Sequence, residues 1–254
     1  MASKKPATQG GGLEPATGLP LWREAFVMRD WLSLRTSMVY NGFGVPHGDG
    51  SPVVVVPGFL GSDRYLMELY HWLKRIGYRP YYSRIGRNAE CPDELMRRLL
   101  QTVNRARAEN RCKVRIIGHS LGGTIARTLA AREPGAVAQL ITLASPIQTA
   151  QVHPVVLRAA DAVRGRVQNG GAQPESCYTV GCTCAFVTSV GETPPSSVVR
   201  TAIYTKSDGI IDWRCCLEED EQLNIEVKGT HAGLAFNPGV YRIVARLLAE
   251  VTAK

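Results

Sequence analysis

The sequence predicts an α/β domain built on a mainly parallel sheet of about six strands with helices on both faces. Three observations carry that expectation. From residue 52 onward, short β-rich runs alternate with helical stretches. The run Val53–Val56 is apolar throughout and stops at Pro57-Gly58, as suits a strand covered on both faces. Gly77, Pro92 and Asn237-Pro238 punctuate the helices at their ends. Repeated strand–helix–strand order favours parallel pairing through right-handed crossovers. At 254 residues and 44% hydrophobic content, one domain with one core is expected.

Residues 1–20 are polar, rich in Gly, Pro and Thr, and lack the apolar run of a signal peptide. They read as a disordered tail ahead of a domain spanning 21–254, and a cytoplasmic location is expected, with secretion left open. Leu21 to Tyr40 is apolar but interrupted by Arg23, Glu24, Arg29, Asp30 and Arg35, too many charges for a bilayer span. Leu21, Ala25, Met28 and Leu32 recur at helical spacing. They predict an amphipathic helix whose apolar stripe packs on the domain, with a peripheral lipid surface as the alternative resting place.

Further along, Asp63 to Ile76 reads as a helix with Leu66, Leu69, Tyr70 and Leu73 on one face, and Tyr78–Ser83 as a strand. Pro92, with Asp93 and Glu94 in the first turn, opens a helix to about Ala108 that buries Leu95, Leu99, Val103 and Ala106. Strands follow at Val114–Ile117, Leu140–Leu143, Val198–Tyr204 and Leu223–Val227, with a helix at Thr124–Arg132 and a last one from Pro238 to about Val251. Residues 145–197 break the rhythm, with one helical piece near Val155–Val163 among Gly, Pro and Cys. A stretch that long without a strand–helix unit predicts a cap or lid over a site, or else an irregular surface insertion.

Net charge is +8, but no arginine stripe or nucleic-acid motif accompanies it, so a basic surface without a nucleic-acid partner is expected. Five of the seven cysteines, Cys177, Cys182, Cys184, Cys215 and Cys216, lie close together in sequence. Paired C-x-x-C spacing is missing, so no metal site is expected; disulfides stay open beside free, half-buried thiols.

The strongest chemical signal is Gly118-His119-Ser120-Leu121-Gly122-Gly123, placed between a strand and a helix. A serine on so sharp a turn needs neighbours without Cβ two positions away on either side. The turn lifts the hydroxyl out of the sheet and aims a helix N-terminus at it, where negative charge is favoured. A plain structural glycine turn is the competing reading. A serine nucleophile also needs a base. Of the five histidines, His231 alone follows the last strand, in Gly229-Thr230-His231-Ala232-Gly233, ahead of the final helix. Loops at the carboxyl ends of strands gather the chemistry of open α/β sheets. Between serine and histidine, only Asp208 sits just past a strand's end; Asp212 is the second candidate acid, with a capping or ion-pair role as its alternative. Glu218-Glu219-Asp220-Glu221 reads as a solvated loop.

With these motifs in this order, residues 52–251 resemble the α/β-hydrolase family, in particular its lipase and esterase members. The segment Ser207-Asp208-Gly209-Ile210-Ile211 resembles the family's acid segment, and Ser120-Leu121-Gly122-Gly123 its lipase-like elbow. The resemblance implies a Ser120–His231–Asp208 triad. It further implies an oxyanion hole from the backbone N–H groups of Phe59, in Pro57-Gly58-Phe59-Leu60-Gly61, and Leu121. Many members carry His-Gly where this chain has Pro57-Gly58. Cleavage of a small-molecule or lipid ester without metal or organic cofactor is the implied activity. An acyltransferase or thioesterase on the same triad, and a non-catalytic binding protein on the same scaffold, stand as alternatives.

Overall fold

A computed structural model describes residues 13–147, 150–169 and 183–251. In chain order the elements are β1 (Leu13–Pro15), α1 (Val27–Arg35), β2 (Pro52–Val56), α2 (Met67–Arg75), β3 (Arg79–Tyr82), α3 (Pro92–Asn110), β4 (Val114–His119) and α4 (Leu121–Arg132). They continue with β5 (Val137–Leu143), β6 (Ala150–Val152), α5 (Pro154–Asn169), α6 (Ala185–Ser189), β7 (Val199–Tyr204), β8 (Asn224–Glu226) and α7 (Pro238–Glu250). Six strands form one parallel sheet in the order β3-β2-β4-β5-β7-β8.

Alternation along the strands divides the core into two layers. Val53, Val55, Ile117, Ile141 and Ile203 face α2 and α7, where Leu69, Leu73, Tyr241 and Val244 are buried with them. Val54, Val56, Ile116 and Leu140 face α3 and α4, burying Leu95, Leu99, Val103, Ala106, Ile125 and Leu129. Each large aliphatic side chain so buried stabilises the fold by about 1.5–3 kcal/mol. The helix ends follow the sequence signals: Gly77 takes a φ of +93° after α2, and the Asn237 side chain accepts from Gly239 N–H at the start of α7.

The strand order has a functional consequence. From β2 the chain crosses to β3 on one side, and from β4 to β5 on the other. The connections therefore diverge between β2 and β4, opening a crevice at their carboxyl ends, where ligands of open α/β sheets bind.

Three expectations are corrected. The tail does not run to residue 20: β1 pairs in parallel with β6, and Ala16 N–H donates to Val152 O at 2.9 Å. Residues 1–12 lie outside the described residues. Leu21 to Tyr40 is a 3-10 helix (Leu21–Phe26) followed by α1, and it faces the other way from the periodicity reading. Ala25, Met28 and Leu32 are exposed, whereas Leu34 is fully buried and Glu24, Val27, Asp30 and Trp31 turn partly inward. Glu218 is not in a solvated run: it is buried against Arg127 in a two-pronged ion pair at 3.1 and 3.2 Å. Two desolvated charges hold there because each is matched with good geometry.

The described parts of 145–197, namely 145–147, 150–169 and 183–197, are tied to the rest of the domain. Val152 bridges to Ile211, and Asp212 N–H donates to Gln151 O at 2.8 Å, joining β6 to the loop after β7. Phe186 of α6 is buried in the α3–α4 layer. Cys215 and Cys216 are free thiols, and burial pushes the Cys216 thiol well up. Cys177 and Cys182 lie outside the described residues. No helix among the described residues is long and apolar enough to cross a membrane.

Candidate active site

Ser120, directly after β4, has φ 51° and ψ −132°, a conformation that L residues rarely adopt and that costs on the order of 1–3 kcal/mol. The surrounding glycines make it possible. A Cβ on Gly118 would collide with Gly123 Cα, and one on Gly122 with the carbonyl of Pro57. Ser120 N–H donates to Leu143 O at 2.8 Å, and Gly123 N–H donates back to Ser120 O at 2.9 Å. The serine is thus locked between β5 and the first turn of α4, and it is almost fully buried.

The loop after β2 lies directly against it: a Cβ on Gly58 would stand 2.9 Å from Ser120 Cβ. Asn88, a buried residue that the sequence reading passed over, fixes this loop. Its side-chain amide donates to Pro57 O at 2.8 Å, its carbonyl accepts from Leu60 N–H at 2.8 Å, and its own N–H donates to Gly61 O at 2.8 Å. Among the described residues, neither Phe59 N–H nor Leu121 N–H is spent on a backbone carbonyl.

Asp208, beyond β7, and His231, beyond β8, meet at 2.7 Å between Oδ2 and Nδ1. The other carboxylate oxygen, Oδ1, accepts Ile210 N–H and Ile211 N–H, each at 2.8 Å. With both oxygens engaged, the carboxylate holds the proton of the imidazole on Nδ1 and leaves the Nε2 lone pair as the basic end. Burial pushes the His231 pKa down, but the charge and hydrogen bond of Asp208, helped by the charge of Glu24, outweigh it and leave the value raised. Asp212, the second candidate acid, instead caps the 3-10 turn Trp213–Cys216 by accepting Arg214 N–H at 2.9 Å.

His119 connects the two halves. Its Nε2 donates to His231 O at 2.9 Å, and the two rings stand 5.0 Å apart between centroids. A carbonyl only accepts, so Nε2 carries the proton and Nδ1 is left without a partner among the described residues. Burial, reinforced by neighbouring His231, pushes the His119 pKa down to about 3. His119 is therefore a neutral brace against the backbone of the base loop rather than a competing base.

A residue from the other end of the chain completes the framework. Glu24 Oε1 accepts Gly209 N–H and His231 N–H, each at 3.0 Å, and Oε2 accepts Ala232 N–H at 2.9 Å. One carboxylate therefore staples the acid loop to the base loop. Asp30, one turn and a half further on, accepts from Thr230 Oγ1 at 3.4 Å. Nothing local in the sequence marks Glu24; its partners lie 185 to 208 residues away. A separate surface cleft of about 180 Å³, lined by Asp93, Met96, Leu129 and Arg132 among others, touches none of these groups.

Residues 83–167 match the PGAP1-like alpha/beta domain family, about a third of the chain. No curated protein matches the chain. Among solved structures, a monoacylglycerol lipase of Paleococcus ferrophilus is 16% identical, with 81% of this chain and 96% of that one covered at a TM-score of 0.54. A structure reported for LipS and LipT, two metagenome-derived lipolytic enzymes, is 14% identical over 81% and 95%, at 0.53. Carboxylesterase CesB of Bacillus subtilis is 12% identical over 89% and 99%, at 0.50. Likeness at such identities establishes the fold: this chain has the α/β-hydrolase fold.

Proposed function

We propose that this chain, an α/β-hydrolase by fold, is a serine hydrolase that cleaves carboxylic esters of small molecules or lipids. The reading rests on a strained serine just after β4 and a buried carboxylate–imidazole couple on the loops after β7 and β8, all at the carboxyl ends of one parallel sheet. Such strain persists only where the surrounding structure enforces it, and it clusters at functional sites. Among the described residues no hydrogen bond joins Ser120 Oγ to His231, so the reaction needs a small side-chain adjustment to bring them into reach.

In this reading Ser120 Oγ attacks the ester carbonyl carbon while His231 Nε2 takes its proton. The carbonyl oxygen becomes an oxyanion, held by Phe59 N–H and Leu121 N–H at the start of α4; each donor contributes about 3 kcal/mol to lowering the barrier. Collapse expels the alcohol with the proton from His231 and leaves an acyl-serine. Water, deprotonated by the same imidazole, then releases the acid and restores the hydroxyl. Asp208 stabilises the imidazolium throughout without taking its proton. The helix α5, with Pro154, Val155, Val156 and Leu157, serves as the apolar part of a cap rooted on the acid loop through β6.

A rate series over p-nitrophenyl esters from acetate to palmitate, with and without emulsion, tests the activity and its chain-length preference. Ser120→Ala should lower turnover by on the order of 10⁴-fold or more while the fold, followed by circular dichroism, is kept. A fluorophosphonate probe should label the wild type at Ser120. A wild type that stays unlabelled, or a Ser120→Ala variant with near-normal turnover, discards the reading.

A further inference from the structure

We propose that the segment Leu21 to Phe43 is a docking element for an anionic bilayer surface, seating the protein with the Asp208 and His231 loops one helix thickness above the lipid. The inference stands on surface chemistry and is independent of the ester-cleaving reading.

The apolar side chains that face solvent are concentrated in this segment. Trp22 is 66% exposed, Met28 67%, Leu32 58%, Met38 71% and Phe43 62%, with Phe26 beside them, its ring edge-on to that of Trp22. Exposed single hydrophobes are ordinary; so many within one short stretch mark an interaction surface. On α1, Met28 and Leu32 lie one turn apart on the outward face, and Arg29 and Arg35 flank them. Apolar and aromatic residues between basic ones are the pattern of helices lying in the plane of a membrane interface, where Trp is favoured.

The charge distribution selects the partner. The segment holds two acids, Glu24 and Asp30, and both turn inward to bond the loops around His231. The outward charges of the segment are therefore arginines only; Arg35 is paired with Glu68 of α2 at 3.2 Å, and Arg23 and Arg29 are left to complement anionic headgroups. A second copy of the chain meeting this face symmetrically would instead set Arg29 against its counterpart. The inward bonds also fix the depth. Ala232, next to His231, is held by Glu24 of the same segment. A surface touching Met28 and Leu32 thus lies about one helix diameter, roughly 10 Å, from the Asp208 and His231 loops.

Flotation of the full chain with vesicles of phosphatidylcholine alone, and of an equimolar mixture with phosphatidylglycerol, tests the proposal. The protein should float with the mixed vesicles and far less with the neutral ones, with a blue shift of tryptophan emission. The double variant Met28→Ser, Leu32→Ser should lose flotation while keeping its melting temperature. Arg29→Gln should weaken binding about fivefold, in the mixed vesicles only. Absence of flotation with either vesicle, flotation that survives the double serine variant, or a dimer in sedimentation that this variant dissolves would each overturn it.

Discussion

The two halves of the candidate site are built in different ways. The serine half is mostly local: β4, the single residue Ser120 and α4 determine its geometry, with glycines at the points where a Cβ would collide. The acid–base half is assembled at long range. Asp208 and His231 stand on separate loops, and the bonds that hold those loops come from β6, from His119 and from Glu24 near the other end of the chain. A tight turn fixes a side chain largely through sterics and a few nearby backbone bonds. A loop must be held by partners, and those partners can lie anywhere in the sequence.

The largest test of this contrast sets the two candidate acids side by side. Asp208→Asn keeps the shape but puts a donor where the imidazole needs an acceptor, and should lower kcat by about 10⁴-fold. Asp212→Asn keeps an oxygen to accept Arg214 N–H, so the cap survives, and it should leave kcat within a few fold and stability nearly unchanged. Steady-state kinetics on a p-nitrophenyl ester would separate them; a larger loss in Asp212→Asn would exchange their roles. On the serine half, Gly58→Ala forces the β2 loop away from Ser120 Cβ, carrying the Phe59 N–H off its target. A displacement of about 1 Å costs roughly 10²-fold in kcat. Gly135→Ala is the control, since a Cβ there meets nothing within 4 Å and should change neither rate nor melting temperature measurably.

The same contrast explains what the sequence made legible. The sheet was readable because each strand carries a continuous or alternating apolar pattern, and the elbow because its glycines are packed into six consecutive residues. His231 and Asp208 were singled out from their position after strands. Glu24, Asn88 and His119 were not, because what they do depends on bonds to distant backbone atoms. The segment after Leu21 shows why periodicity misled. That method assigns the apolar stripe to the core, but here the polar stripe is turned inward by N–H groups of the Asp208 and His231 loops that need acceptors. Glu218 deceived for a related reason, since its place in an acidic run hides a buried arginine partner.

The smallest expected effect bears most directly on the long-range half. Glu24→Gln keeps the size and one acceptor oxygen, so Gly209 and His231 can retain a partner, but its amide NH₂ then faces Ala232 N–H, donor against donor. The base loop should loosen enough to lower kcat about tenfold, roughly 1.4 kcal/mol of barrier, with little change in KM. The pH profile adds a second reading. His231 is faced by Asp208, Glu24 and neutral His119, and its pKa is raised by the two carboxylates against burial. As base it must be unprotonated, so kcat/KM falls as pH drops through that raised value. Removing the charge of Glu24 lowers the pKa, and the acid limb should move to lower pH. A variant that melts earlier but keeps both kcat and the position of that limb would reduce Glu24 to a structural tie.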